Sequence, residues 1–223
     1  GVDDPYRETK DRQNFIALEM LPSLRSKIES ASDPLLLAAR LAIAGNVIDM
    51  GVNGNLTEAD MLQAVNRALT EPLVGDYDEF RTAIAKAQSI LYLADNAGEI
   101  AFDRLLIEKL LPERVTLVVR GAPVINDATL ADAQAVGLDK IVEIIDNGSD
   151  APGTILRDCS QEFQRRYSDA DLIIAKGQGN FETLSNEPEN IFFLFKVKCP
   201  LVSDLVHQPI GTQMLLQSRS GKK

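Results

Sequence analysis

The sequence predicts an α/β fold, in which a helical N-terminal part precedes a three-layer α/β/α unit built on a parallel sheet. From Asp11 to about Lys86, apolar residues recur at spacings of three and four, the period of an amphipathic helix. From Ser89 onward, short runs of Ile, Val and Leu alternate with helical segments, and their unbroken hydrophobicity indicates strands covered on both faces. We therefore expect a helical domain over residues 1–88 and an α/β/α domain over residues 89–223.

Helices fill the first of these parts. Asp33 precedes Pro34, a pair typical of an N-cap followed by proline in the first turn, and opens an Ala- and Leu-rich helix over about Leu35–Met50. The elements that follow are a turn at residues 51–55, a helix from near Glu58 that Thr57 can cap, and a last helix over Thr82–Gln88.

The second part contains the candidate strands. They are Ile90–Ala94, Val115–Arg120, Ile141–Ile145, Leu172–Ala175 and Ile191–Val197. The helices between them are expected at about Glu99–Leu111, Ala128–Val136, Gly153–Tyr167 and Phe181–Ser185. Because a helix separates each strand from the next, we expect parallel pairing, with helices on both faces of the sheet.

Composition and charge argue against some classes of partner. The chain has 23 Lys and Arg against 33 Asp and Glu, a net charge of −10, and such a surface repels nucleic acid. Its longest apolar runs are strand-sized, far short of the roughly 20 residues that span a bilayer, so we expect no membrane partner. Cys159 and Cys199 show no metal-binding or disulfide pattern, which favours a reducing cytoplasm.

Polar residues cluster directly after four of the predicted strands. The clusters are Asp95–Glu99, Arg120–Asp127, Asp146–Gly148 and Lys176–Asn180. The carboxyl ends of parallel strands meet at one edge of a sheet, where open α/β proteins bind their ligands. We therefore expect these clusters to lie together, and we refer to this place as the rim site.

The rim site has the chemistry of a metal and phosphate centre. Asp95, Asn96 and Asp127 offer only carboxylate and amide oxygens, which are hard ligands that suit Mg or Mn better than zinc. Lys176 and Arg120 are cations that can hold a phosphoryl group whose other oxygens face the metal. This set predicts a divalent metal beside a bound phosphate.

Other residues are weaker candidates for the rim site. Gly98 and Glu99 begin a helix, whose free N–H groups can face an anion. Asn46 and Asp49 end an apolar helix, where they either form a close-packed corner or reach the rim site. Asp103 lies one turn after Glu99, and we expect it to be a solvated helix carboxylate.

Two of the clusters also have a structural interpretation. An Asp-Asn pair after a strand is commonly an N-cap or turn pair, and Lys176–Asn180 can be a plain turn. The sequence has neither Gly-x-x-x-x-Gly-Lys-Ser/Thr nor Gly-x-Gly-x-x-Gly, so we expect no nucleotide cofactor.

Five segments, in this order, resemble the metal-dependent damage-control phosphatases, a family long catalogued as the domain of unknown function DUF89, and in particular its stand-alone microbial branch. They are Ala44–Asp49, Asp95–Asp103, Pro123–Asp127, Gly148–Gly153 and Lys176–Asn180. The resemblance implies a helical N-terminal part packed on a Rossmann-like α/β/α domain with a mainly parallel sheet. This branch often carries a cysteine pair upstream of these segments, so the chain either starts after that pair or functions without it.

The resemblance also implies an activity and a set of ligands. It implies one divalent metal, Mn, Co, Ni or Mg, held by Asp95, Asn96 and Asp127. The substrates that it implies are phosphomonoesters of small metabolites, such as sugar phosphates or phosphopantetheine-like compounds, whose hydrolysis removes damaged or surplus metabolites. Lys176 would contact the phosphate, and the further substrate contacts that we expect are Arg120, Asn180, Gly98, Asn46 and Asp49.

Asp95 is the residue that we expect to matter most. It can bind the metal through one oxygen and direct the nucleophile with the other, and attack by the carboxylate and attack by metal-bound water both stay open. Glu99 is expected to transfer a proton or to hold the ligands in place. Two other functions stay open as well: a module that binds a phosphorylated metabolite without turnover, and a carboxylate methyltransferase.

Overall fold

The computed structural model describes residues 4–45 and 58–218 of the chain. Its helices are α1 (Arg7–Glu29), α2 (Pro34–Ala44), α3 (Glu58–Thr70), α4 (Tyr77–Lys86), α5 (Glu99–Ile107), α6 (Leu130–Ala135), α7 (Gln161–Asp169), α8 (Gly177–Leu184) and α9 (Pro200–Val206). Its strands are β1 (Leu73–Gly75), β2 (Ile90–Leu93), β3 (Val115–Val119), β4 (Glu143–Asp146), β5 (Leu172–Lys176), β6 (Ile191–Lys196) and β7 (Gln213–Gln217).

The strands of the described residues form one seven-stranded sheet, in the order β1-β7-β6-β5-β2-β3-β4. Neighbouring strands are parallel throughout, except for the antiparallel pair β6 and β7. The predicted mainly parallel sheet is therefore confirmed. Because β2 lies between β5 and β3, the carboxyl ends of these three strands are adjacent, and the loops that follow them meet.

Helices cover both faces of the sheet. Helices α1, α2, α5 and α6 share one apolar core with one face, and α7, α8 and α9 share a second core with the other. Successive residues of a strand point alternately into the two cores. Tyr92 lies in the first core, while Leu91 and Leu93 lie in the second. This alternation explains why the strand sequences are hydrophobic without interruption.

The start of α2 agrees with the predicted N-cap. Asp33 Oδ1 accepts a 3.0 Å hydrogen bond from the Leu36 N–H, and Pro34 occupies the first helical turn. The helix is buried along most of its length, because it packs between α1, α3 and α5. The rest of the predicted helix, the turn at residues 51–55 and Thr57 lie outside the described residues.

Some boundaries and elements differ from the sequence prediction. Strands β1 and β7 were not predicted, since neither carries a long run of β-branched residues. Strand β4 begins at Glu143 rather than at Ile141, because Leu138–Lys140 is a single 3₁₀ turn. Helix α7 begins only at Gln161, where the Ser160 side chain caps it, and the segment before it is mostly loop.

The predicted boundary between two domains at residue 88 stays a prediction. Strand β1 precedes this position but pairs with β7 in the sheet. Helices α1 and α2 also share one continuous core with β2, β3 and β5. In the part of the chain that the structure covers, no helix is both long enough and apolar enough to cross a lipid bilayer.

Candidate active site

The structure brings the loops after β2 and β3 into direct contact at the rim site. Asn96 and Asp127 pair through an isolated antiparallel bridge. The Ala128 N–H donates to Asp95 O at 2.8 Å, and the Ala97 N–H donates to Asn126 O at 2.9 Å. Asp95, Asn96 and Asp127 therefore lie together, as a shared metal site requires.

Glycine at position 177 makes room for the Asp95 carboxylate. Gly177 begins α8 with a φ of +79°, a conformation that residues with a Cβ rarely adopt. A Cβ at this position would overlap Asp95 Oδ2. The close approach of α8 to the loop after β2 therefore depends on the absence of a side chain, which explains the glycine in the Lys176–Asn180 segment.

The donor set fits a hard divalent cation. Asp95 is buried, and burial raises its pKa well above the ordinary value, with further increases from the charges of Glu99 and Asp127. Burial likewise raises the pKa of Glu99 to about 7, although Lys176 opposes the change. A divalent cation would stabilise such a group of buried carboxylates, because its charge offsets their mutual repulsion.

The ligand geometry would combine two carboxylates with one amide. Among the described residues, no three Asp, Glu, His or Cys side chains form a metal cluster, so Asn96 would have to supply the third protein ligand. Its Nδ2 donates to Asp95 Oδ2 at 2.8 Å and lies 3.5 Å from Glu99 Oε2. The carboxamide is thereby held against both carboxylates, and its oxygen is the atom that binds a cation.

Lys176 lies fully buried beneath the rim site. Its ammonium donates to Glu99 Oε1 and Asp103 Oδ1, both at 2.6 Å, and to Ala42 O at 2.9 Å. Burial alone would lower its pKa, but the two carboxylates outweigh burial and raise it, so the side chain is charged. The three acceptors use all three protons of the ammonium group. Lys176 would therefore have to give up one of these hydrogen bonds to contact a phosphate.

Asp103 differs from the sequence expectation of a solvated helix carboxylate. Its side chain is fully buried, because α5 turns this face toward the core, and Tyr92 OH donates to Asp103 Oδ1 at 2.8 Å. Burial raises the pKa of Asp103, while Lys176 lowers it. Asp103 is thus part of the charge network below the site, together with Lys176 and Glu99.

Arg120 and Asn180 adjoin the candidate metal ligands. Arg120 Nε donates to Asp127 Oδ2 at 2.6 Å, and its terminal nitrogens lie 3.2 Å from Thr154 Oγ1 and 3.4 Å from Asn180 Oδ1. Thr154 also donates to Asn180 Oδ1 at 2.8 Å. Sequence analysis missed Thr154, although it directly follows the Gly148–Gly153 segment.

The remaining predicted contacts have different surroundings. The Gly98 N–H donates to Asn14 Oδ1 of α1 at 2.7 Å, so this donor has a protein acceptor. Asn46 and Asp49 lie outside the described residues. In the Asp146–Gly148 cluster, Asp146 ends β4, and Asn147 Oδ1 accepts from the N–H groups of Gly121 and Ser149, both at 3.0 Å.

Lys198 is a cation near the rim site that the sequence analysis missed. It follows β6, is exposed, and its backbone N–H donates to Gln178 Oε1 on α8 at 2.8 Å. Its charge lowers the pKa of both Asp95 and Glu99, against the larger effect of burial. Lys198 follows the fifth predicted strand, whereas the sequence analysis considered only the residues after the first four. Its position after a parallel strand could have identified it as a candidate.

Comparisons with known proteins identify relatives of this chain. The model of the damage-control phosphatase ARMT1-like domain matches residues 1–214. A damage-control phosphatase of Pyrococcus horikoshii is 37% identical, with 98% of this chain and 76% of the relative aligned. A damage-control phosphatase of Archaeoglobus fulgidus is 38% identical over 92% of this chain and 73% of the relative.

The fold comparison gives the same result. The crystal structure of a DUF89 family protein from Pyrococcus horikoshii matches with a TM-score of 0.85 and 37% identity. The match covers 97% of this chain and 76% of that chain. The family model, the relatives and the shared fold together show that this chain belongs to the damage-control phosphatase ARMT1-like family, formerly DUF89.

Proposed function

We propose that the chain is a metal-dependent phosphomonoesterase that hydrolyses small phosphorylated metabolites in a damage-control role. The observation that carries the proposal is the contact between the loops after β2 and β3, which brings Asp95 and Asn96 beside Asp127. Membership of the family supports the same activity. The substrate classes that we propose are sugar phosphates and phosphopantetheine-like compounds.

Asp95, Asn96 and Asp127 are the proposed metal ligands. A bound divalent cation would supply Lewis-acid stabilisation of the charge on the phosphate oxygens. Mg and Mn suit a set of oxygen ligands, and Co and Ni are proposed from the resemblance to the family. Arg120 holds Asp127 by its 2.6 Å ion pair, and Asn96 holds Asp95, so both carboxylates are oriented before a ligand arrives.

Glu99 is the proposed proton carrier. When the ester P–O bond breaks, the leaving oxygen takes up a proton, and a group with a pKa near neutrality serves this step best. In the absence of a metal, burial raises the pKa of Glu99 to about 7 against the opposing effect of Lys176, which supports this role. Lys176 holds Oε1 of Glu99, while Oε2 faces the Asn96 amide, so the carboxyl is fixed beside the proposed ligands.

We propose that Lys198 makes the exposed contact to the substrate phosphate. Arg120 and Lys176 are both buried. Lys198 is exposed, at a strand end that adjoins α8, and it carries the charge that a phosphate dianion requires. Lys176, Arg120, Asn180, Gly98, Asn46 and Asp49 stay as the further contacts proposed from the sequence.

A panel of phosphorylated metabolites tests the proposal. The purified chain is assayed for release of inorganic phosphate with Mn, Co, Ni or Mg, and in EDTA. We expect release from small phosphomonoesters only with a divalent metal. Binding of these esters without release under every metal would favour the binding module, and methyl transfer to a carboxylate without release would favour the methyltransferase.

A further inference from the structure

Asn14 of helix α1 connects the N-termini of the two helices that follow the metal-ligand loops. Its Oδ1 accepts a 2.7 Å hydrogen bond from the Gly98 N–H, at the start of α5. Its Nδ2 donates at 2.9 Å to Asp132 Oδ1, in the first turn of α6. Asn14 is only 2% exposed, so water does not compete for these bonds.

Asp132 continues this connection to the loop that carries Asp127. Its Oδ2 accepts from the Thr129 N–H at 2.9 Å and from the Thr129 hydroxyl at 2.7 Å, and Thr129 lies close after Asp127 in the chain. Lys10 Nζ lies 3.5 Å from the same oxygen, and Arg7 also pairs with the carboxylate. Asp132 is fully buried, so its orientation is set by these partners.

The connection lies where the backbone contact between the two loops ends. The loops are joined by the Asn96–Asp127 bridge and by the hydrogen bond from the Ala97 N–H to Asn126 O. At the next residue, Gly98, the chain turns into α5 with a φ of +74°. The Gly98 N–H therefore donates to the Asn14 side chain, whereas the Ala97 N–H donates to the backbone of the neighbouring loop.

We propose that Asn14 and Asp132 are positioning residues, which fix the loop bearing Asp95 and Asn96 relative to the loop bearing Asp127. This inference rests on the proposed function, in which those three residues bind the metal. Asn14 acts on the site through Gly98, and Asp132 acts through Thr129. Neither residue touches the substrate or the metal.

Anchoring of α1 does not by itself account for these bonds. The helix already buries an apolar face, with Ala17, Leu24 and Ile28 almost completely covered. A second polar contact, from Arg25 to Glu108 at 2.7 and 3.0 Å, attaches the other end of α1 to the end of α5. The bonds of Asn14 and Asp132 lie instead beside the two loops, at the starts of α5 and α6, which favours a geometric role for them.

Replacement of Asn14 tests the positioning role with Mn²⁺ as the probe. We expect Asn14→Ala to remain folded and to bind Mn²⁺ about tenfold more weakly in calorimetric titration, the loss typical when a group that orients metal ligands is removed. Arg25→Ala is the matched control, because it removes a polar contact between the same two helices far from the loops. We expect it to bind Mn²⁺ like the parent protein.

An exchange of the two side chains tests the geometry itself. Asn14→Asp replaces the Nδ2 donor by a second acceptor that faces the Asp132 carboxylate. Asp132→Asn removes the negative charge that the Asn14 donor faces. The double variant Asn14→Asp/Asp132→Asn restores one donor and one carboxylate between these positions and still offers an acceptor to Gly98, but its amide at position 132 also faces the Arg7 guanidinium, which is a donor. We expect each single variant to weaken Mn²⁺ binding and the double variant to recover part of it. Unchanged binding in Asn14→Ala or equal loss in Arg25→Ala would overturn the proposal.

Amide hydrogen exchange separates this inference from the proposed function. In the metal-free protein, we expect Asn14→Ala to speed exchange of the Gly98 N–H at least tenfold and to speed that of the Ala97 N–H as well, while Arg25→Ala leaves both unchanged. If the parent protein bound no Mn²⁺, the proposed function would fail, but the exchange rates would still decide the positioning role. Unchanged exchange at Gly98 in Asn14→Ala would refute it.

Discussion

Lys176 donates a 2.6 Å hydrogen bond to Asp103 Oδ1, and both side chains are fully buried. Tyr92 OH donates to the same oxygen at 2.8 Å, so Asp103 is fixed by two donors. The lysine in turn holds Glu99 at 2.6 Å. A chain of contacts therefore runs from the core of the sheet, at Tyr92, to the proposed proton carrier.

Removal of the Asp103 charge should destabilise the protein strongly. Asp103→Asn leaves Lys176 buried with one carboxylate instead of two, and breaking a buried ion pair costs about 3 kcal/mol. We expect this decrease in the free energy of unfolding, measured with urea in the absence of metal. Glu108→Gln is the control, because Glu108 pairs with Arg25 and Arg104 at a partly exposed position. It should cost less than about 1 kcal/mol, and equal losses would contradict the account.

Lys198 and Lys196 should differ in their effect on catalysis. Lys198→Ala removes the exposed cation beside the rim site, so we expect kcat/KM for a phosphomonoester to fall about a hundredfold, with a normal unfolding transition. Lys196 lies two residues earlier in the chain and pairs with Glu71 at 3.2 Å. Lys196→Ala should keep kcat/KM within about twofold of the parent value. If the two variants had the same kinetics, the role proposed for Lys198 would be wrong.

Parallel pairing and the meeting of strand ends could be predicted from the sequence, since both follow from the local alternation of strands and helices. That reasoning also brought Asp95, Asn96 and Asp127 to one edge of the sheet. The surroundings of Asp103 could not be predicted, because the spacing from Glu99 gives the helix face but not what packs on it. Asn14 was missed for a related reason: its partners, Gly98 and Asp132, are distant in the chain.

Gly177 should tolerate no side chain. Gly177→Ala would place a Cβ on Asp95 Oδ2 in a backbone conformation with φ of +79°, so we expect loss of Mn²⁺ binding and of phosphatase activity. Gly211→Ala is the control for backbone strain alone, because its φ is +95° and its Cβ would lie 3.9 Å from the nearest atom, Lys196 Cε. We expect Gly211→Ala to lower stability and to keep metal binding. Normal Mn²⁺ titration of Gly177→Ala would show that Asp95 is not placed as described.

Asp132 should make stability depend on acid pH. Burial alone would raise its pKa, but hydrogen bonds from Arg7 and Thr129 outweigh burial and hold the pKa below its ordinary value of 3.8. A lowered carboxyl pKa stabilises the folded state above the unfolded pKa, and this stabilisation is lost as pH falls through the lower folded value. The difference in unfolding free energy between the parent and Asp132→Asn should therefore be largest above about pH 4 and shrink below it. Urea unfolding from acid to neutral pH measures this difference.

Asp139→Asn, at an exposed position, is the control for Asp132→Asn. The same dependence of the unfolding free energy on pH in both variants would contradict the role assigned to Asp132.

The measurement that tests the central claim most directly is the rate of phosphate release by Asp95→Asn, with Mn²⁺ and with EDTA, compared with the parent protein. The substitution keeps the shape of the side chain and removes the charge from the proposed ligand. We expect the parent to release phosphate only with Mn²⁺ and the variant, folded as judged by circular dichroism, to be at least about a hundredfold slower. Full metal-dependent activity in Asp95→Asn, or undiminished release by the parent in EDTA, would contradict the proposed site.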